Sequence, residues 1–481
     1  MSIFEHLSGL DVGMIVLYIS AMALIGAFAS RRIKSTKDFT SAGQQLSWKL
    51  IAGSTIATAM GGNMVIGKYD LIFESGLSGL TASLFWWVGW LFLLVMTKKF
   101  RSSGVTSLPA FLEKRYNPLT KKICSYCVLV TIVSSCAATF LSVGTILEAL
   151  GVCSRTMGTW VGAAIIIAFT IFSGLWGVAI TDTIQSVILA VCFGVVFPLA
   201  VFHVAGGWDT VVAANAPERL NLFSGIAPIT MVGWAVTYSL SVGADPTYSQ
   251  RIFSAKSTKD ALLGQGVAWL VTLVVAGVLS ALPALAIPQI FPQLTRGSEF
   301  TPLFLVTYMP AVVSGFFLAA LLGLMLTSGD SYLLLMASTV TDDMVRPRRP
   351  QMSDRHALLL TRLVCVASAG IVCAMALYVD KIYQLFKTGG GAYGAGVFFP
   401  LLLGCYWKRA SAKAINLGMV IGCVTSFGFD MFLKVPLQLN LDGCIPGAIL
   451  CLLICVVGSL IEPQKDANPL PEPPPVPEIN P

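Results

Sequence analysis

Runs of roughly 20 apolar residues recur along almost the whole chain, and they limit its fold more than any other feature. A bilayer core offers no water to backbone N–H and C=O groups, so a segment crossing it is either a helix or a strand of a closed barrel. Barrel strands would be short and alternate in polarity. These runs are longer and continuously apolar, so the chain is expected to be an all-α polytopic membrane protein. Of its 481 residues, 56% are hydrophobic and only 11% charged, which excludes an ordinary soluble domain. The net charge of +7 is spread over many short loops, which argues against a nucleic-acid surface.

The hydropathy pattern predicts thirteen spans, beginning with about Val12 to Ala29, Trp48 to Phe73 and Leu77 to Met96. Later ones include Ile229 to Val242, Ala311 to Val340, Ile382 to Trp407 and Ile445 to Ile461. Glu5 precedes the first span and Arg31, Arg32, Lys34 and Lys37 follow it, so it reads as uncleaved, with its N-terminus outside. Loops assigned to the inside carry Lys98, Lys99, Arg101, Lys114, Arg115, Lys121 and Lys122, and also Arg251, Lys256 and Lys259. Arg346, Arg348, Arg349, Arg355, Lys408, Arg409 and Lys413 extend the same inner bias, and the C-terminus is expected in the cytoplasm. A single transmembrane domain is expected over 1–461, followed by a disordered proline-rich tail over 462–481.

Ten of the twelve cysteines lie in or at the ends of apolar segments. Cys124 and Cys127 form a lone C-x-x-C without a second pair or a nearby histidine, so they read as packing residues. The three histidines, His6, His203 and His356, all fall near the expected membrane surfaces. With no convergent nucleophile and base, an embedded enzyme is not expected.

Polar groups within the apolar runs are the candidates for function, because lipid tolerates them only beside a partner or a cavity. Thr327, Ser328 and Ser331 in Leu324-Met325-Leu326-Thr327-Ser328-Gly329-Asp330-Ser331 lie on roughly one side of a helix. Their neutral oxygens suit a hard cation, though such hydroxyls also commonly bond to their own helix. Two spans are interrupted, one at Ala59-Met60-Gly61-Gly62-Asn63 and one at Ser241-Val242-Gly243-Ala244-Asp245-Pro246. Broken helices five spans apart point to a five-plus-five inverted repeat, with core repeats at approximately 47–203 and 229–408. Asp182 sits a turn or two inside its span, where a carboxylate could guide a cation or simply cap a helix. Lys68 and Asp70 could recognise a charged solute or face an outer vestibule.

Four separated stretches carry a family resemblance. They are Ala57-x-x-Met60-Gly61-Gly62 continuing to Gly67, Thr181-Asp182-x-x-Gln185, Tyr248-Ser249-Gln250-Arg251 with Ala255-Lys256, and Gly323 to Ser331 followed by Asp342-Asp343. Together they resemble the motifs of the sodium/solute symporter family. The resemblance implies a leucine-transporter-type inverted-repeat fold whose first and sixth core helices are discontinuous. It also implies sodium-coupled symport of a small polar organic solute, amino-acid-like or a carboxylate, by alternating access.

Carried over by position, the resemblance gives a sodium site made of the carbonyls of Ala57, Met60 and Leu324 and the hydroxyls of Thr327 and Ser328. Leu324 stands where the family usually has Ala; since the ligand is a carbonyl, packing rather than coordination should feel the change. Asp182 and Ser331, with Asp330 nearby, would serve a second sodium or the ion's exit path. Solute contacts would come from Gly61, Asn63, Met64, Tyr238, Ser241 and Tyr393. Met64 replaces a residue that is polar in several sugar or acid transporters, which points away from simple sugars. The expected partners are sodium, one small solute and the bilayer of the plasma (inner) membrane, with a monomeric functional unit and no organic cofactor. A proton-coupled symporter and a transporter-like channel or sensor are the alternative readings.

Overall fold

In chain order the helices that matter here are α1 (Gly9–Ala29), α2 (Trp48–Ala59), α3 (Lys68–Ser75), α4 (Leu80–Ser102), α5 (Leu108–Arg115), α6 (Pro118–Ala149), α7 (Arg155–Val191) and α8 (Phe197–Val204). The second half contributes α9 (Pro228–Gly243), α10 (Pro246–Phe253), α11 (Thr258–Thr272), α12 (Val313–Ser338), α13 (Asp354–Ala376), α14 (Ile382–Tyr406), α15 (Ala412–Gly428) and α16 (Cys444–Ile461). This computed structural model describes residues 8–33, 35–61, 67–377, 382–433 and 441–462. Among the described residues, nine helical stretches are long and apolar enough to cross a membrane, and no strand forms. The proline-rich tail beyond residue 462 lies outside the described residues.

Local sequence accounts for several helix ends. Ser8 and Asp11 form a capping box at α1, with the Ser8 hydroxyl accepting from the Asp11 amide at 3.2 Å and the Asp11 carboxylate accepting from the Ser8 amide at 3.0 Å. The other carboxylate oxygen of Asp11 accepts from the Ser314 hydroxyl at 2.6 Å and the Gly315 amide at 2.8 Å, tying α1 to the start of α12. The stretch 155–204 is a 50-residue helical run, about 75 Å at 1.5 Å per residue, far more than one bilayer crossing needs. It turns at Gly174, whose φ of +50° suits a residue without a Cβ. The hydropathy of the sequence divides the run at the same place, into spans of about Met157 to Phe172 and Gly177 to Phe202.

Both expected interruptions are present. The helix from Trp48 stops at Ala59 and helix resumes as α3, while α9 stops at Gly243 and the chain restarts as α10 after Asp245. At the second break Asp245 caps the restarted helix, accepting from the Thr247 amide at 2.7 Å and the Tyr248 amide at 3.1 Å, and Pro246 fills its first turn. The two broken elements are also joined: the Leu46 amide donates to Ser254 O at 3.0 Å and the Lys256 amide to Leu46 O at 2.9 Å.

Helix α12 is the axis of the molecule, with 94% of its most apolar window buried against 22% for α1. Packed against α12 are α1, α2, α6, α7, α10 and α13. Three basic residues assigned to inner loops, Arg115, Lys121 and Arg251, are buried instead. Arg115 donates to the carbonyls of Gly404 and Trp407, both at 3.0 Å, satisfying the end of α14. Arg251 lies on α10 inside the protein, fully inaccessible.

Candidate functional site

The hydroxyls of α12 meet the last turn of α2 where α2 gives out. Thr327 Oγ1 lies 3.4 Å from Ala57 O and 2.9 Å from Leu324 O, and Ser328 Oγ lies 3.4 Å from both Thr58 O and Leu324 O. The contact is close because Gly61 has no side chain: a Cβ there would come within 2.7 Å of Ser328 Oγ. Thr327 and Ser328 are almost fully buried, as are Ala57 and Leu324. Two oxygens each about 2.4 Å from one hard cation sit about 3.4 Å apart when they subtend a right angle, so this spacing leaves the set one ion's geometry to fill. The donors are neutral, and any positive charge would have to come from the guest. Met60 is buried beside them and ends α2 with its amide on Ile56 O at 2.9 Å.

One turn away the chemistry changes from neutral to charged. Asp182 on α7 accepts from the Ser54 hydroxyl at 2.6 Å and lies 3.7 Å from the Arg251 guanidinium, with both charged side chains wholly inaccessible. Arg251 donates to Ser54 Oγ at 2.9 Å, to Thr58 Oγ1 and Ser331 Oγ at 2.7 Å each, and to Thr247 O at 2.9 Å. One cation thus joins α2, α7, α10 and α12. A buried ion pair is tolerable only when its remaining donors are also satisfied, which these hydroxyls accomplish. Asp182 Oδ1 and Asp330 Oδ2 have no hydrogen-bond partner among the described residues. Asp182 and Ser331 are therefore brought together, but through Arg251. The sequence reading missed that residue because a charge in a polar Tyr-Ser-Gln-Arg stretch looks like loop.

Tyr238, Ser241 and Tyr393 also converge. They line one space of about 420 Å³ with Trp86, Asp245 and Lys387. Tyr393 donates its hydroxyl to Ala244 O at 2.7 Å and Ser241 donates to Gly390 O at 2.7 Å, so α14 is fastened to the broken end of α9. The lining residue Trp86 is backed by further rings: it meets Tyr248 edge-on at 5.8 Å, and Tyr248 stacks on Trp90 with ring centroids 4.8 Å apart and planes 6° apart. A second space of about 400 Å³ lies on the other side, lined by Thr40, Ser107, Gln250, Asp342 and Asp343. Pro246, at the start of α10, borders both spaces. The sequence reading missed Trp86, Asp245 and Lys387; the signal for Lys387 was an ammonium inside an apolar run.

Other expectations fall differently. Asn63 and Met64 lie outside the described residues. Lys68 neither meets the cavity nor faces a vestibule: it is buried, donating to Ala276 O and, at 2.7 Å, to Ser280 Oγ. Asp70 accepts from the Ser298 amide at 2.7 Å and so fixes a loop. Cys127, read as a packing residue, has its sulfur 3.3 Å from that of Cys423.

A family model described as the sodium:solute symporter family matches residues 39–422. The chain belongs to the sodium:solute symporter family. It is a multi-pass membrane protein that couples sodium to the symport of a small organic solute, and it is not an enzyme. The symporter is 25% identical over 424 residues to a high-affinity proline transporter of Bacillus subtilis (strain 168), covering 84% of this chain and 89% of that one. It is 27% identical over 523 residues to a sodium/glucose cotransporter of Vibrio parahaemolyticus, covering 98% and 94% of the two chains. Among solved structures it superposes on a substrate-bound, outward-open Na+-coupled sialic acid symporter with a TM-score of 0.80 at 17% identity, over 95% of this chain and all of that one. A nucleobase-cation-symport-1 family transporter in a closed conformation gives a TM-score of 0.54 at 10% identity. The symporter shares with them the leucine-transporter type of fold, with its two discontinuous helices.

Proposed function

We propose that the coupling sodium binds among Ala57 O, Leu324 O, Thr327 Oγ1 and Ser328 Oγ, with the Met60 carbonyl completing the set. The observation that carries this is the 3.4 Å approach of Thr327 Oγ1 to Ala57 O, where intact α12 meets the end of interrupted α2. Sodium drawn by a negative interior gains about 2.3 kcal/mol per 100 mV and bridges α2 to α12. Held together in this way, the interrupted helix presents Gly61 to a solute that also meets Tyr238, Ser241 and Tyr393; Asn63 and Met64 are assigned to the same solute by their place in the sequence alone. The solute is small, polar and organic, amino-acid-like or a carboxylate; the relatives that handle proline and sialic acid support that class.

The two spaces bordered by Pro246 supply the outer and inner ends of an alternating-access path. Asp182 and Ser331 belong to the exit side, where Arg251 already provides the positive charge, so we assign them to the ion's route rather than to a second resident sodium. The protein works as a monomer in the plasma (inner) membrane, N-terminus outside and C-terminus in the cytoplasm, an orientation supported by the basic inner loops.

The deciding experiment is uptake into proteoliposomes with a sodium gradient, compared with choline at constant pH. Solute accumulation that requires sodium supports the reading. Accumulation unchanged in choline but driven by a pH gradient would make the protein a proton symporter.

A further inference from the structure

Among the described residues, Lys387 is the one basic and Asp245 the one acidic side chain lining the cavity shared by Tyr238, Ser241 and Tyr393. Lys387 pairs with Asp442 Oδ1 at 2.6 Å, with side-chain exposures of 18% and 6%. An ammonium has three donors, and Asp442 is its one hydrogen-bond partner among the described residues, so donors remain for a guest. Asp442 itself is fixed: its other oxygen lies against α9, 2.7 Å from where a Cβ on Gly233 would be. Asp245 spends Oδ1 on capping α10, while Oδ2 accepts no hydrogen bond among the described residues.

Lys387, Gly390 and Tyr393 recur at three-residue spacing on one face of α14, and Tyr393 is anchored beside Asp245 through Ala244 O. Lys387 is six residues from that anchor, somewhat under two turns and about 9 Å along the helix axis. An amine and a carboxylate on one carbon are about 3 Å apart, and a charged hydrogen bond at each end adds about 2.8 Å, so such a solute needs its two partners roughly 8–9 Å apart.

We propose that the cavity takes a zwitterionic α-amino or α-imino acid, with its carboxylate on Lys387 and its nitrogen on Asp245. Asp442 keeps its bond to Lys387, and the ammonium donors it leaves unused are the ones offered to the solute. The proposal rests on the reading of this cavity as the solute site. It goes further by giving the two ends of the solute separate partners, and by assigning Lys387 the choice between an acid and its neutral analogues.

The test is thermal stabilisation of the purified protein in sodium by the proteinogenic amino acids, by their carboxamides, by their N-acetyl derivatives and by D-glucose. At least one free amino acid should stabilise the protein, with its carboxamide and N-acetyl derivative each binding at least roughly tenfold more weakly. Lys387→Met should abolish the preference for the acid over the carboxamide while keeping discrimination against the N-acetyl form. Lys387→Arg should retain the preference, and the ligand-free melting temperatures of both variants report whether the fold survived.

An acid preference that persists in Lys387→Met overturns the proposal, as does stabilisation by no free amino acid. Sodium-dependent stabilisation by glucose alone overturns it too, but leaves sodium symport standing. Stabilisation indifferent to sodium would instead strike at the symport reading.

Discussion

Two neighbouring clusters share α2 and α12 and solve opposite problems. At Ala57, Leu324, Thr327 and Ser328 every oxygen is neutral, and the spacing of 3.4 Å between helices is long for a hydrogen bond. At Ser54, Thr58, Asp182, Arg251 and Ser331 the contacts are 2.6 to 2.9 Å and the cluster carries its own cation. In the sodium site we propose, the contacts between helices are left long for an ion to bridge, whereas a cluster that holds helices together closes its own. The difference teaches that hydroxyl-rich surfaces on one helix serve both ends, and that the fixed guanidinium decides which.

This contrast can be broken most forcefully at the charged cluster. Arg251→Met should leave a buried carboxylate unpaired and cost about 3–5 kcal/mol, read as a large fall in melting temperature. The double variant Arg251→Met with Asp182→Leu should recover more than half of that loss. If the single variant melts like the parent, the cluster does not hold the helices together.

The neutral cluster should respond in ion affinity rather than fold. A lost oxygen contact to a charge is worth about 1.5 kcal/mol or more. Ser328→Ala or Thr327→Ala should therefore raise the sodium concentration for half-maximal uptake roughly tenfold, with little change in melting temperature in choline. Gly61→Ala should act in the same direction but more weakly. Its Cβ would sit 2.7 Å from Ser328 Oγ, and a displaced rotamer costs about 0.5–1.5 kcal/mol. Uptake titrations that show no sodium shift for Gly61→Ala would mean that the helices part without cost.

The smallest effect is a control on the charged side. Lys256 meets Asp260 at 3.9 Å with 53% of its side chain exposed, so Lys256→Ala should change stability by less than about 0.5 kcal/mol. A larger loss in a thermal melt would show that charge at the surface matters as much as charge in the core.

The parts of this architecture that follow from local chemistry were legible in the sequence. Apolar length marked the crossings, and Gly61 and Pro246 marked the breaks. The hydroxyls at Thr327 and Ser328 stood out because they are polar within an apolar run. Long-range pairing was not legible. Arg251 reads as a loop charge until Ser54, Thr58, Asp182 and Ser331 are brought around it from three other helices. Lys68 and Asp70 looked poised for a solute, yet each is consumed by a backbone group more than two hundred positions away in the chain. Lys387 was overlooked beside its glycine run because its partner Asp442 and the cavity it faces appear only once α9, α14 and α16 assemble.

The most direct measurement of the central claim is a sodium titration of melting temperature at constant ionic strength, with choline as the replacement. An ion that binds the folded state stabilises it in proportion to RT ln(1 + [Na+]/Kd). The parent protein should gain stability with sodium, and the Thr327→Ala, Ser328→Ala double variant should match it in choline but gain nothing from sodium. A double variant that keeps the full sodium-dependent rise would contradict the account, because the ion would then be bound elsewhere.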